Sequence, residues 1–352
     1  MRIVVFGAGG FIGSHLVGRL LARDTHDVVG VDLASERLVE VLDSLPAAAH
    51  DRWTFHSADV RHEVDLLRHL VRGADAVVNL VAFANPSVYV TRPLETFDLN
   101  FVQNLAVARL CVEHGAWLIQ FSSAEVYGKA SGAPYDEHRT DAVFGPVRKQ
   151  RWIYAASKDL LERVIYAHGD AGELRYTIIR PFNFVGPRMD YLVPAGAIGG
   201  PRVFPHFMSA LLTGGPIRLV DGGYVRRAFL HIDDGTRAVE AILDDPARAR
   251  NGIFNVGNPA NELTIRRLAD LMVELYEELT GEPARSPIEE IDGEAFYGPG
   301  YEDSDREAPD ISRIRQFGWS PRHDLRTTLR ETMTYYLSRR GAHALDAPLA
   351  GL

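Results

Sequence analysis

Residues 2–13 constrain the fold more than any other stretch of this chain. Arg2–Phe6 is a short run rich in β-branched residues that ends in Gly7-Ala-Gly9-Gly10-Phe11-Ile12-Gly13, and residues 11–23 then have helical periodicity. A strand, a glycine-rich turn and a helix in that order let backbone N–H groups and a helix N-terminus meet a pyrophosphate. The pattern continues downstream. Residues 28–32, 53–57, 76–80, 117–122 and 176–181 read as apolar strands, and 93–114 and 154–168 read as helices. Strands alternating with helices at this spacing imply a parallel sheet covered on both faces.

The expected fold class is therefore α/β, a Rossmann-type doubly wound parallel sheet with a smaller, mostly C-terminal α/β substrate lobe. After Pro181 the rhythm changes, and Gly, Pro and Arg become common through residues 190–205. Helices are expected at 205–213, 233–244, 263–279 and 324–339, and short strands at 218–221 and 229–232. Residues 282–310 are polar and rich in Gly and Pro, which predicts an ordered surface loop. The expected division is a dinucleotide-binding domain over 1–181, a substrate lobe over 182–340 interleaved with the sheet, and a frayed tail over 341–352.

The glycine loop makes Gly7, Gly10, Phe11, Ile12 and Gly13 candidate cofactor contacts. Asp32 ends the second strand, 19 residues after Gly13. A carboxylate there accepts hydrogen bonds from a ribose diol and repels a 2′-phosphate, so NAD is favoured over NADP. Asp59 and Val60, after the third strand, are candidate adenine contacts. Leu80, at the end of the fourth, is a further candidate cofactor contact.

The chemistry is carried by Trp152-Ile-Tyr154-Ala-Ala-Ser-Lys158. Tyrosine and lysine four apart on a helix share one face. A nearby ammonium lowers a phenol from its ordinary pKa of about 10, which would make Tyr154 a proton shuttle near neutral pH. The chain has only three lysines, Lys129, Lys149 and Lys158, among its 38 basic residues, and one stands where this chemistry needs it. Strand five ends in Gln120-Phe-Ser122-Ser-Ala-Glu-Val-Tyr-Gly128. Ligands gather at the carboxyl ends of parallel strands, so Ser123 is expected beside Tyr154. A hydroxyl, a phenol and an ammonium converging on one alcohol describe hydride abstraction from a secondary alcohol.

Several stretches together resemble the extended short-chain dehydrogenases/reductases that act on nucleotide sugars. They are Asn79-Leu-Val-Ala82, Ser122 to Gly128, Gly145-Pro-Val-Arg-Lys-Gln-Arg-Trp-Ile-Tyr154, Arg180-Pro-Phe-Asn183 with Gly186-Pro-Arg188, Asp221-Gly-Gly223 and Tyr297-Gly-Pro-Gly-Tyr301. Within that family they are most similar to the group that handles UDP-glucuronate, which includes the ArnA decarboxylase domain and the plant UDP-apiose/UDP-xylose synthases. The resemblance runs essentially end to end. It implies NAD-dependent oxidation of a UDP-sugar at C4, with decarboxylation of a uronic acid. A 4-epimerase without decarboxylation is the alternative, and a non-catalytic nucleotide-sugar or NAD(H)-binding protein is one of another class. It also implies catalytic roles for Ser123, Glu125, Tyr154 and Lys158. Tyr89, Asn183, Arg202, Arg218, Arg227 and Tyr297 would contact the substrate, the guanidinium forks suiting phosphate oxygens. Helices 93–114 and 154–168 carry apolar outer stripes, and the resemblance implies a homodimer through a four-helix bundle.

Two positions depart from the group. Ala124 stands where it has Ser or Cys, and Glu307 where it has an arginine that meets the carboxylate or protonates the enolate. A one-residue register shift would return Arg306 to that catalytic role. Without it a glutamate would face a uronate, and like charges repel.

Composition excludes other classes. A net charge of −9 with 38 basic and 47 acidic residues argues against nucleic-acid binding. There is no Cys/His cluster, so no metal is expected. Cys111 is the lone cysteine, expected to be core filler in a cytoplasmic protein. No apolar run approaches the ~20 residues of a membrane span.

Overall fold

The computed structural model describes residues 1–189, 192 and 202–339. Seven strands form one parallel sheet: β1 (Arg2–Phe6), β2 (Asp27–Asp32), β3 (Trp53–Ser57), β4 (Ala76–Asn79), β5 (Trp117–Phe121), β6 (Tyr176–Pro181) and β7 (Gly252–Val256), in the spatial order β7-β6-β5-β4-β1-β2-β3. The larger helices around it are α1 (Phe11–Leu21), α2 (Asn104–His114), α3 (Trp152–Asp170), α4 (Val203–Thr213), α5 (Ile232–Asp244), α6 (Ile265–Thr280) and α7 (Leu325–Ser338).

The near-continuous apolar strands follow from burial on both faces. Ile3 and Val5 of β1 point into one core with Leu16 and Val17 of α1 and Val239 of α5. Val4 and Phe6 point into a second core with Val107 and Cys111 of α2 and Leu161 and Ile165 of α3. All four β1 side chains are fully buried, and each contributes about 1.5–3 kcal/mol. Cys111 is the core filler its setting predicts, and burial pushes its thiol well above the usual range.

The order of strands reverses between β1 and β4, on either side of which the connections run in opposite directions. That switch point is where the glycine loop lies, at the carboxyl ends of the strands. The strand β7, unpredicted from sequence, returns from the second half of the chain to pair with β6, Gly252 opposite Thr177 through Val256 opposite Pro181.

The helix expected over 93–114 is one path with a wide turn inside it. Pro93–Phe97 is α-helical, Asp98–Gln103 is π-helical, and α2 continues from there. The Asn104 side-chain amide donates to the Leu99 carbonyl at 2.6 Å and to Val81 at 3.1 Å, while the Asn79 amide donates to its oxygen at 2.6 Å. A polar insertion into the helical ladder is a recognised cause of such a turn.

The second half packs over the carboxyl ends of the sheet. Ile217–Val220 pairs in parallel with Ile288–Ile291, and Arg226–Ala228 lies between Glu262–Thr264 and Arg306–Glu307. The segment 282–310 is therefore more than a surface loop. It holds two short strands and the helix Gly293–Tyr297, and its Gly293 N–H donates to Asp221 at 2.9 Å. The expected tail 341–352 and most of 190–201 lie outside the described residues. Among the described residues no helix is long and apolar enough to cross a membrane.

Candidate active site

The glycine loop is held to a close backbone fit. A Cβ on Gly9 would sit 1.9 Å from the Ala34 carbonyl oxygen, and one on Gly13 would sit 2.0 Å from that of Gly7. Neither position tolerates a side chain, and the resulting tight turn opens α1 directly beneath the switch point. The Asp32 carboxylate accepts N–H bonds from Gly9 at 2.9 Å and Leu33 at 2.7 Å, and burial raises its pKa. These residues fit a dinucleotide: a backbone cradle for a pyrophosphate and a carboxylate at the second strand end for a ribose.

A cavity of about 480 Å³ runs from this loop, past Leu80, to Ser123, Tyr154 and Lys158. Gly7, Gly10, Phe11, Ile12 and Gly13 line it, together with Arg37, which sequence reasoning missed. Asp59 and Val60 do not line it. Asp59 is engaged by Arg61 at 2.7 Å, and Val60 packs against the second core. A second cavity continues over the sheet edge, lined by Arg218, Arg227 and Tyr297. Tyr89, Glu125, Asn183, Arg202 and Glu307 line both, so the two are one site with two ends.

At the join, the Tyr154 ring stacks on Tyr89 with centroids 4.3 Å apart and planes 4° from parallel. Ser123 and Tyr89 both lower the pKa of the Tyr154 hydroxyl, against the larger effect of burial. Ser123 also caps the turn after β5, accepting the Glu125 N–H at 3.1 Å. Lys158 is 2 % exposed, and its ammonium donates to the Phe121 carbonyl at 3.1 Å, 6.0 Å from the Tyr154 ring centroid.

One expectation is corrected here. Tyr154 is not held below its ordinary pKa by Lys158; burial, then the Glu125 charge, push it up, against hydrogen bonds from Ser123 and Tyr89. Sharing a helix face with an ammonium does not outweigh removal from water when that ammonium is turned toward a strand-end carbonyl. Burial in turn lowers Lys158 to about 8, with Glu162 opposing.

The substrate-facing wall is a network of buried charge. Arg151 donates to Glu125 at 2.5 Å and to Asp303 at 3.3 Å. Arg227 donates to Asp303 at 2.7 Å and lies 3.4 Å from Glu307. Burial pushes Glu125 up, with Arg151 opposing it; Asp303, despite its burial, is held low by Arg227 and Arg151. Asn183 sits at φ +40°, a region asparagine tolerates, with its amide donating to the Ala228 carbonyl at 3.3 Å. Tyr297 stacks on Tyr301 at 4.4 Å. Arg151 and Asp303 were missed by sequence reasoning. Arg151 lies inside the distinctive run 145–154, which was the available signal.

Arg306 is a second correction. Its side chain is 45 % exposed and paired with Glu262 at 2.6 Å, on the wall of a different cavity. The register shift is not made, because Arg306 and Glu307 alternate across a two-residue strand and only Glu307 points inward. Glu307 is 5 % exposed and accepts the Ser304 hydroxyl at 2.8 Å.

Fold and site together define a dinucleotide-dependent oxidoreductase of the short-chain type. Residues 3–257 match the NAD dependent epimerase/dehydratase family, and the chain belongs to it, with NAD as its cofactor. The chain is 42 % identical to a UDP-D-apiose/UDP-D-xylose synthase of Oryza sativa subsp. japonica, an alignment covering 95 % of this chain and 89 % of that one. It is 41 % identical to UDP-D-apiose/UDP-D-xylose synthase 1 of Arabidopsis thaliana, over 95 % of this chain and 91 % of the relative. Among solved structures, the PbgP3 protein from Burkholderia pseudomallei superposes with a TM-score of 0.85 at 32 % identity, covering 97 % of both chains.

Proposed function

We propose that this enzyme oxidises UDP-glucuronate at C4 and decarboxylates it, giving a UDP-4-ketopentose that is released or carried on to UDP-xylose or UDP-apiose. The observation that carries this is the continuous site, with Ser123, Tyr154 and Lys158 where its cofactor end meets its sugar end. NAD, held by the glycine loop and Asp32, would supply the acceptor for the C4 hydride. Tyr154 takes the C4 hydroxyl proton while Ser123 holds the same oxygen. The new ketone is β to the carboxylate on C5. The bond from C5 to the carboxyl carbon breaks, its electrons pass into the C4–C5 enolate, and carbon dioxide leaves. Glu125, raised by burial and on the same wall, is placed to return a proton to C5. Arg218, Arg227 and Arg202 serve the pyrophosphate and uridine with Tyr297, and Asn183 and Tyr89 the sugar.

Glu307 is the observation that favours a second reading, 4-epimerisation without decarboxylation. Its charge is answered by Arg227 and the Ser304 hydroxyl, and Arg151 and Arg202 on the same wall offer the positive charge a uronate needs. Incubation with UDP-glucuronate and NAD is expected to release carbon dioxide and yield a UDP-pentose or UDP-4-ketopentose by mass spectrometry. UDP-galacturonate without gas would replace this proposal with the epimerase.

A homodimer is part of the proposal. Helix α3 packs beside the helix running from Pro93 to His114, and the pair leaves Leu94, Phe97, Val102 and Leu160 exposed along its outer side. A second copy of the same pair would cover them as a four-helix bundle. Leu160→Glu is expected to halve the mass seen by sedimentation; an unchanged mass would remove this face from the interface.

A further inference from the structure

The reacting end of the sugar must sit where the two halves of the site join, because Ser123 and Tyr154 line the cofactor end and Arg218, Arg227 and Tyr297 the nucleotide end. A group on C5 is one bond further from C4, so it lies in that join too. The side chains there carry both signs. Arg202 lines it and lies over the Phe11 ring at 5.6 Å, while Glu125 and Glu307 line it as carboxylates. Behind them Arg151 donates to Glu125 at 2.5 Å and to Asp303 at 3.3 Å, and Arg227 donates to Asp303 at 2.7 Å. Arg227 gives its remaining Nη bonds to the Arg226 and Ser304 carbonyls and the Ser304 hydroxyl, and its Nε stands 3.4 Å from Glu307. In this linked wall two guanidinium groups are set against three carboxylates, and Glu307 holds the longest of the contacts.

We infer that Glu307 is a specificity-determining residue, and that it opens the site to neutral UDP-hexoses alongside the uronate. A carboxylate accepts hydrogen bonds and donates none. An uncharged C6 hydroxymethyl group can donate one, and a bond to a charged acceptor is roughly twice as strong as one between neutral groups. A C6 carboxylate in the same place has no proton to donate and meets a like charge. Glu307 is fixed for this task. It is 5 % exposed, faces inward from the strand beside Arg226–Ala228, and accepts the Ser304 hydroxyl at 2.8 Å. That bond leaves its carboxylate further lone pairs for a sugar hydroxyl. The inference rests on the catalytic assignment above. The first step is common to both substrates: the hydride leaves C4 and the C4 hydroxyl proton goes to Tyr154. A hexose has no carboxylate to lose, so hydride and proton both return to C4, on either face, with no net oxidation.

Glu307→Gln keeps the shape of the side chain and removes its charge. Binding is read by calorimetry with UDP-glucuronate and UDP-glucose, each against UDP alone, which reports the nucleotide end. Oxidation is read by single-turnover NADH absorbance with each sugar. The wild type should form NADH from UDP-glucose. In the variant UDP-glucuronate should bind about tenfold tighter, the size of one nearby like charge removed, and UDP-glucose should bind more weakly, so the ratio of the two Kd values shifts by about tenfold or more. Asp303 keeps its pairing with Arg227 at 2.7 Å. Should the amide still fail to fold, Glu307→Met removes the same charge and is expected to shift the ratio in the same direction. A residue that merely holds the wall together would weaken both sugars alike, and an unchanged ratio would overturn the inference. So would a wild type that forms NADH from UDP-glucuronate and none from UDP-glucose. Carbon dioxide is no part of these readouts, so failure of the decarboxylation proposal and failure of this inference are separately visible.

Discussion

Tyr154→Phe is expected to lower the rate of NADH formation by about 10²–10⁴-fold, the range a positioned proton acceptor supplies, while nucleotide-sugar binding changes little. The substitution removes one oxygen and nothing else. The ring stays in its buried slot against Tyr89, where the 4.3 Å stack depends on the aromatic face and not on the hydroxyl. Ser123 keeps its bond from the Glu125 N–H, so the turn after β5 is undisturbed. Single-turnover absorbance of NADH, with calorimetry of UDP-sugar binding beside it, separates the two effects. Turnover at the wild-type rate would place the base elsewhere. The pH dependence has a stated sign. Because Tyr154 is pushed up, its deprotonated form is scarce at neutral pH, so oxidation should speed up as pH rises. The rise should be cut off as Lys158, lowered to about 8, loses its charge.

That correction to Tyr154 marks where a sequence stops being informative. Spacing places Tyr154 and Lys158 on one helix face, and the structure keeps them there. Spacing does not give burial, nor the direction in which a four-carbon side chain turns, and both decide the pKa. The Lys158 ammonium goes to the Phe121 carbonyl of a neighbouring strand, 37 residues away in sequence. The six strands legible in the first half share one cause, apolar runs at regular spacing. Strand β7 has the same burial, but its partner β6 ends at Pro181, far back in the chain, so no short strand–helix–strand unit marks it. Segment 282–310 reads as a loop because its order comes from distant partners. Lys149 reaches Glu294, Trp152 reaches Glu302 and Arg227 reaches Asp303, each contact bridging tens of residues or more. Arg306 and Glu307 differ by one position, and only the strand pairing with Arg226–Ala228 tells which side chain faces the site.

Arg151→Met should be the most damaging change on the substrate wall, costing about 3–5 kcal/mol of stability because it strands a buried carboxylate. The Arg151 side chain is 4 % exposed, lies over the Trp152 ring at 4.7 Å, and pairs with Glu125 at 2.5 Å. Asp303 would keep Arg227 at 2.7 Å, so Glu125 is the group left without a cation. Burial already pushes Glu125 up and the Arg151 charge is what opposes it, so in the variant Glu125 would be pushed up further. Its negative charge is also one of the influences that keep Tyr154 protonated. The variant should therefore lose stability while the pH at which turnover rises moves down. Adding Glu125→Gln removes the stranded charge and should recover a large part of the lost stability without restoring turnover, since Glu125 is placed to protonate the enolate. Urea unfolding of the two single variants and the double gives the coupling energy directly. A coupling below about 0.5 kcal/mol would mean that the two side chains lie close without depending on each other.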